Sequence, residues 1–168
     1  MNEYEAREAS DTAVKEISPT IEKYKDKPQM LVQMLLEIQA ATGNFVPERV
    51  AVAVSRATGI PLSDISDSID FYSMLSDRKR GKHIIRVCNS APCHVCGSAE
   101  VAQAFLKELG LTMEGQTTED GLFTFESCQC LGVCDVAPAA TVDDQVHGDL
   151  YPTKIKKLIA GLREEGEE

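Results

Sequence analysis

All six cysteines of this 168-residue chain fall between Cys88 and Cys134, as Cys88-x4-Cys93-x2-Cys96 and Cys128-x-Cys130-x3-Cys134. If the two groups act together, the fold must bring two separate loops to one edge. Thiols at such short spacings read as soft-metal ligands or a redox centre rather than as a disulfide framework. The N-terminal Met1-Asn2-Glu3-Tyr4-Glu5 agrees with that reading, since no basic stretch leads into an apolar run and no signal peptide is expected.

The spacings bear on which metal. Structural zinc favours short C-x2-C knuckles and a closed tetrahedral set of Cys and His, and only Cys93 and Cys96 have that spacing. The longer gaps suit an iron-sulfur core, for which Cys88 with Cys93 and Cys130 with Cys134 would supply two pairs of thiolates. Spacing alone would also let Cys96 or Cys128 replace a neighbour. Small residues flank the candidates, with Ser90, Ala91 and Pro92 in the first gap and Gly132 in the second. Such loops can wrap a cluster closely and turn backbone N–H groups toward its sulfurs.

Periodicity divides the chain. Residues 11 to 66 read as short helices punctuated by Pro and Gly. Ser18 is expected to cap a helix with Pro19 at its first position, and Pro28 to open the next. Leu31, Met34, Leu35 and Ile38 then follow helical spacing up to Gly43. A third helix spans Pro47 to Gly59 and a fourth starts at Pro61. Ile65 and Ile69 continue an apolar stripe toward Phe71, Tyr72 and Met74, which read as core or subunit-interface packing rather than an electron path. Asp77 to Lys82 is basic and polar, a solvated link between two halves.

Beyond the link, His83-Ile84-Ile85-Arg86-Val87 is a β-branched run that delivers Cys88 at its end. Ser98 is expected to cap a helix with Val101, Ala102, Phe105, Leu106 and Leu109 on one face, closed by Gly110. Leu122 to Glu126 is a second strand leading into cysteine. Residues 140–142 and 145–147 form a hairpin about Asp143-Asp144, and Pro152 opens a terminal helix. The order strand, helix, strand, strand, helix is that of a compact thioredoxin-like α/β domain, although order alone leaves other α+β arrangements open.

Charge and composition exclude several classes. A net charge of -10 with a pI near 4.8 argues against a phosphate backbone as partner. No apolar run approaches the roughly 20 residues of a bilayer span. No Gly-x-Gly-x-x-Gly follows a strand and no P-loop is present, so the chain offers no nucleotide site. The expectation is a soluble, cytoplasmic protein that reaches a membrane only through partners, with a solvated, frayed tail from Arg163 to Glu168. His94 beside Cys93 hints at a Rieske site, but four well-spaced cysteines make histidine unnecessary, and His83 and His147 occur in unrelated contexts.

Cys88-x4-Cys93 followed by Cys130-Leu131-Gly132-Val133-Cys134-Asp135-Val136-Ala137-Pro138 closely resembles the thioredoxin-like [2Fe-2S] subunit of NADH dehydrogenases, meaning respiratory complex I and its NAD(P)-linked hydrogenase and formate dehydrogenase relatives. Gln39, Gly43 and Pro47-Glu48 look like that family's helical arm. Phe71-Tyr72-Ser73-Met74 resembles its FYxM segment, and Thr118-Glu119-Asp120-Gly121 its TxDG turn. The likeness covers roughly residues 17 to 160.

That resemblance implies an N-terminal four-helix bundle, residues 1–78, followed by a thioredoxin-like [2Fe-2S] ferredoxin domain, residues 79–168. It implies one cluster held by Cys88, Cys93, Cys130 and Cys134, with Cys96 and Cys128 as spare thiols outside the family pattern. It further implies an electron-transfer subunit that supplies no acid, base or nucleophile. FMN and NAD(H) are expected on a partner flavoprotein, beside a larger iron-sulfur subunit of the same complex. The extra cysteines lean toward a soluble hydrogenase-type complex over respiratory NADH dehydrogenase. The rivals are a stand-alone ferredoxin shuttle, a zinc-stabilised interaction module, and a thiol-disulfide oxidoreductase using Cys93 and Cys96.

Overall fold

The computed structural model describes residues 16–166, which form two compact units dividing between Lys79 and Arg80. The expected start of the helical run at residue 11 and the last two residues of the acidic tail lie outside the described residues.

In the first unit, α1 (Ser18–Tyr24), a 3-10 turn (Pro28–Met30), α2 (Leu31–Ala41), α3 (Glu48–Thr58) and α4 (Leu62–Phe71) share one core. Each helix buries a three-and-four stripe: Met34, Leu35 and Ile38 on α2, Val50 and Val54 on α3, Ile65 and Ile69 on α4. Pro47 and Pro61 stand in extended conformation immediately before α3 and α4, and Gly59 ends α3 in the left-handed region at φ +73°. Ser18 is not a side-chain cap. The fully buried Ile17 already has helical backbone angles, and its carbonyl accepts from the Ile21 N–H at 3.0 Å, so burial of Ile17 starts the helix one residue early.

Gln39 ties the segment after α4 back onto α2. Its buried amide donates to the Met74 carbonyl at 2.8 Å and accepts from the Ser76 N–H at 2.9 Å. Leu75 is thereby held in the core, while its neighbours face solvent. Phe71, Tyr72 and Met74 are 79%, 38% and 48% exposed, so of the two expected roles, core or subunit-interface packing, they do not fill the first. The stripe ends at Ile69 because α4 itself ends at Phe71 and Tyr72 turns to an extended conformation.

The second unit is built on a four-stranded sheet of order β2-β1-β3-β4, with β1 (His83–Cys88), β2 (Phe123–Cys128), β3 (Ala140–Val142) and β4 (Gln145–His147). β1 and β2 are parallel, in register from His83 opposite Phe123 to Cys88 opposite Cys128, whereas β3 is antiparallel to both β1 and β4. A short helix α5 (Ala91–Val95) and then α6 (Ser98–Leu109) make the crossover between β1 and β2, and α7 (Pro152–Gly166) follows β4. Ile85, Val87, Phe123 and Phe125 meet Val101 and Phe105 of α6 and Ile155 and Ile159 of α7 in a single core, so both long helices cover the same face.

Two expectations fail locally. α5 and α6 are separated only by Cys96 and Gly97, and Gly97 takes the boundary at φ +91°, a value that favours glycine. Ser98 is consequently buried inside α6 and caps nothing. The basic link is also not wholly solvated. Arg80 reaches Glu126 at 2.8 Å, and Glu126 binds Arg86, its register partner on β1, at 3.1 Å. Gly81 lies so close to the Phe123 backbone that an added Cβ would stand 2.7 Å from its carbonyl carbon. The acidic tail departs too, since α7 continues through Arg163, whose guanidinium lies 6.0 Å from the Phe123 ring centroid.

Residues 118–121 set the start of β2. The Gly121 N–H donates to the Thr118 carbonyl at 2.8 Å, Asp120 accepts from the Leu122 N–H at 2.9 Å and also from the Thr118 hydroxyl, and Gly121 turns the chain at φ +71°. Among the described residues no helix is long and apolar enough to cross a membrane.

Candidate metal centre

The parallel register places the ends of β1 and β2 together, so the two cysteine loops leave the sheet at one edge. Strand alternation puts Cys88 on the same face as Ile84 and Arg86, away from the helix-covered core. Its N–H donates to the Ala139 carbonyl at 3.0 Å, and the Asn89 N–H donates to the Cys128 carbonyl at 3.1 Å. α5 then begins at once, with Ser90 extended before it and Pro92 in its first turn. A single helical turn carries Cys93 back beside Cys88, and both are buried against Ala139, while Val95 points outward.

Cys130 and Cys134 come from the loop between β2 and β3. Gly132 bends it at φ +78°, and the two sulfurs stand 3.9 Å apart at the surface. The loop closes through a 3-10 turn, Cys134–Val136, and a cis Ala137-Pro138 bond. It is clamped from outside by the segment after β4. The Asp149 N–H donates to the Val136 carbonyl at 2.7 Å, and the Leu150 N–H to the Pro138 carbonyl at 3.1 Å. Gly148 makes this approach feasible, since a Cβ there would lie 2.4 Å from the Val136 Cβ. Only the glycine at position 148 hints at this clamp in the sequence.

The thiols differ electrostatically. Burial pushes the Cys88 thiol up, but backbone hydrogen bonds from Ser90 and Leu131, with Cys93 beside it, outweigh burial and bring it below the usual thiol range. Cys93 is raised, first by burial and then by its neighbour Cys88, against a backbone bond from Ala139. Cys134 is raised by its contact with Cys130 and feels Cys88 as well. Cys93 in turn feels Cys134, so the buried and exposed pairs lie within electrostatic reach of each other.

Two thiolates bound to one tetrahedral metal at about 2.3 Å stand about 3.8 Å apart. The Cys130–Cys134 separation of 3.9 Å fits that geometry. Among the described residues, no three His, Cys, Asp or Glu side chains converge at metal-binding spacing. Two pairs of thiols would suit a two-iron core, each iron binding two protein thiolates, and the backbone bonds to Cys88 and Cys93 would offset the excess negative charge of such a core.

The other two cysteines differ from each other in placement. Cys128, opposite Cys88 and half-buried, packs against the same cluster of side chains, and burial pushes its thiol up to about 11. Cys96 is exposed at the end of α5. A disulfide oxidoreductase needs an accessible thiol of depressed pKa in its C-x2-C, whereas Cys93 is buried and raised. His83 starts β1 at the end opposite Cys88, where its Nδ1 pairs with Asp143 at 2.9 Å, and His147 lies on β4, so no two histidines face one iron.

The family model described as thioredoxin-like [2Fe-2S] ferredoxin matches residues 17–163. The chain is 38% identical over 150 residues to a subunit of the NADH-quinone oxidoreductase of Pseudomonas aeruginosa, covering 89% of each. It is 34% identical over 155 residues to the counterpart of that subunit in Escherichia coli, covering 92% of each. It is 31% identical over 146 residues to the HndA subunit of the NADP-reducing hydrogenase of Solidesulfovibrio fructosivorans, covering 87% of this chain and 84% of the other. A solved NAD+-reducing [NiFe]-hydrogenase is similar in fold, with a TM-score of 0.69 at 20% identity over 81% of this chain and 23% of that one. This chain thus spans about a quarter of that solved chain.

Proposed function

The chain belongs to the thioredoxin-like [2Fe-2S] ferredoxin family, and we propose that it is the electron-transfer subunit, carrying one [2Fe-2S] cluster, of a multisubunit NAD(P)H-linked oxidoreductase. In this reading Cys88, Cys93, Cys130 and Cys134 hold the cluster, and the observation that supports it is a buried pair and an exposed pair carried on loops that leave the sheet at one edge. When bound, the cluster carries single electrons between a two-electron flavin and an onward acceptor.

The chain's own residues do the rest. Cys88 and Cys93, buried against Ala139, keep water from one side of the site. The backbone bonds from Ser90, Leu131 and Ala139 stabilise negative charge on those two sulfurs, which raises the reduction potential, and the chain's net charge of -10 lowers it. Cys130 and Cys134 face outward, so a partner approaches from their side. The four α-helices of the first unit act as a bundle that docks the subunit, and exposed Phe71, Tyr72 and Met74 belong to that surface.

The partners in this reading are an FMN- and NAD(H)-binding flavoprotein and a larger iron-sulfur subunit, and relatives named as subunits of an NADH-quinone oxidoreductase and of an NADP-reducing hydrogenase support a multisubunit setting. The test is purification from the native host with identification of the co-purifying subunits by mass spectrometry, followed by addition of NADH or NADPH to the intact complex. A flavoprotein should co-purify and the nicotinamide should reduce the cluster. A chain that purifies alone, reduced only by an added artificial donor, contradicts the reading in favour of a free ferredoxin. A co-purifying quinone-site or hydrogenase subunit identifies the branch.

A further inference from the structure

A groove of about 430 Å³ runs between α3 and α4 of the first unit. Its floor is apolar: Val46, Ala51 and Ile69 are buried, and Leu62 stands 38% exposed at one side. Its rim is acidic, with exposed carboxylates at Glu48, Asp70 and Asp77 and no basic residue among the lining side chains. Among the described residues none of these three carboxylates is in a salt bridge. Close beside it along the chain, Phe71 and Tyr72 meet edge to face at 5.1 Å and remain open to solvent.

An apolar floor attracts a side chain out of water, but whatever covers it also desolvates the rim, and unpaired carboxylates oppose that unless cations arrive with the occupant. Both terminal stretches of the sequence are themselves net acidic. Residues 1–15 carry Glu3, Glu5, Glu8 and Asp11 against Arg7 and Lys15, and the C-terminus carries Glu164, Glu165, Glu167 and Glu168 against Arg163. A second copy brings a further net charge of -10.

We infer that this groove seats a basic segment of another subunit, with Lys or Arg side chains against Glu48, Asp70 and Asp77 and one apolar side chain between Leu62 and Ile69. The inference rests on the reading of this chain as part of a larger complex.

Two measurements on the intact complex test it. A photo-crosslinking amino acid at exposed Ser66, within the groove, is activated in the purified assembly and the captured peptide is sequenced. The expected product is a peptide of another subunit with net positive charge around an apolar residue. An acidic or neutral peptide, a peptide of this same chain, or no crosslink in an intact complex overturns the assignment. The charge reversal Asp70→Lys with Asp77→Lys should slow association of the subunit about tenfold at low salt and flatten its salt dependence. The cluster's absorbance should stay unchanged, since Asp70 and Asp77 belong to the first unit and the cysteines to the second. Unchanged association kinetics also overturn the proposal. If the wild-type chain forms no complex at all, the functional reading falls together with this one. A complex that forms normally but ignores the groove removes only the groove.

Discussion

Cys88 and Cys128 are register partners at the ends of two parallel strands, yet only Cys88 receives backbone hydrogen bonds that hold its thiol below the usual range, while burial drives Cys128 up to about 11. Backbone N–H groups favour the thiolate at Cys88, and burial favours the neutral thiol at Cys128.

With Cys88, Cys93, Cys130 and Cys134 as the proposed ligands, Cys128→Ser and Cys96→Ser should each leave the visible absorption and EPR spectra of the cluster intact. Spectra are compared on protein isolated under anaerobic conditions. Loss of the cluster in either variant would overturn the proposed ligand set.

Glu126 joins Arg80, at the start of the second unit, to Arg86 on β1. Removing its charge leaves two poorly exposed guanidinium groups facing each other, and Arg80 already meets the cost of burial and the repulsion of Arg86. Glu126→Gln should destabilise the fold by about 1–3 kcal/mol. Denaturant unfolding of the isolated chain measures this, and an unchanged midpoint would show that the pairing contributes nothing.

Gly148→Ala forces a methyl group into Val136 and hence into the clamp over the Cys130–Cys134 loop. Relief requires the loop to move, at a cost of about 1–3 kcal/mol. The variant should lose iron to a chelator faster than the wild type. Glycine-to-alanine at Gly161, where an added Cβ meets nothing, should leave that rate unchanged.

Asp120 supplies a pH-dependent contribution. Its carboxyl is lowered, chiefly by the Thr118 hydroxyl and then by the Leu122 N–H. A folded-state pKa below the unfolded value of about 3.9 means that the stabilisation is fully present above that value and is lost as pH falls through the folded pKa. Asp120→Asn should flatten the loss of stability below about pH 4 relative to wild type. Chemical denaturation at a series of acid pH values checks the slope.

Much of this was legible in the sequence because its signals were local and repeated. The β-branched run before Cys88 and the alternation before Cys128 each specify a strand, helical spacing specifies α2 and α6, and Pro47 and Gly59 bound α3. The three-residue strands depended on Asp143-Asp144 as a turn signal. α5 was not legible, since five residues are too few to show a period. Ser98 matched a cap pattern but lost to Gly97, whose backbone freedom the reversal requires. Phe71 and Tyr72 read as core or subunit-interface packing, and the end of α4 decides against the core by exposing them. Arg80 looked like part of a solvated link because its partner Glu126 is distant in sequence. The same limit applies to the cysteines: spacing defines each pair, and only the register of β1 with β2 brings the pairs to one edge.

The most direct test of the account is metal and EPR analysis of the chain beside its single Cys→Ala variants at positions 88, 93, 130 and 134. The wild type should contain iron and acid-labile sulfide in equal amounts, two of each as a [2Fe-2S] core requires, and give an EPR signal on one-electron reduction that each variant loses or alters. Stoichiometric zinc, or a wild-type spectrum in any of the four variants, would contradict it.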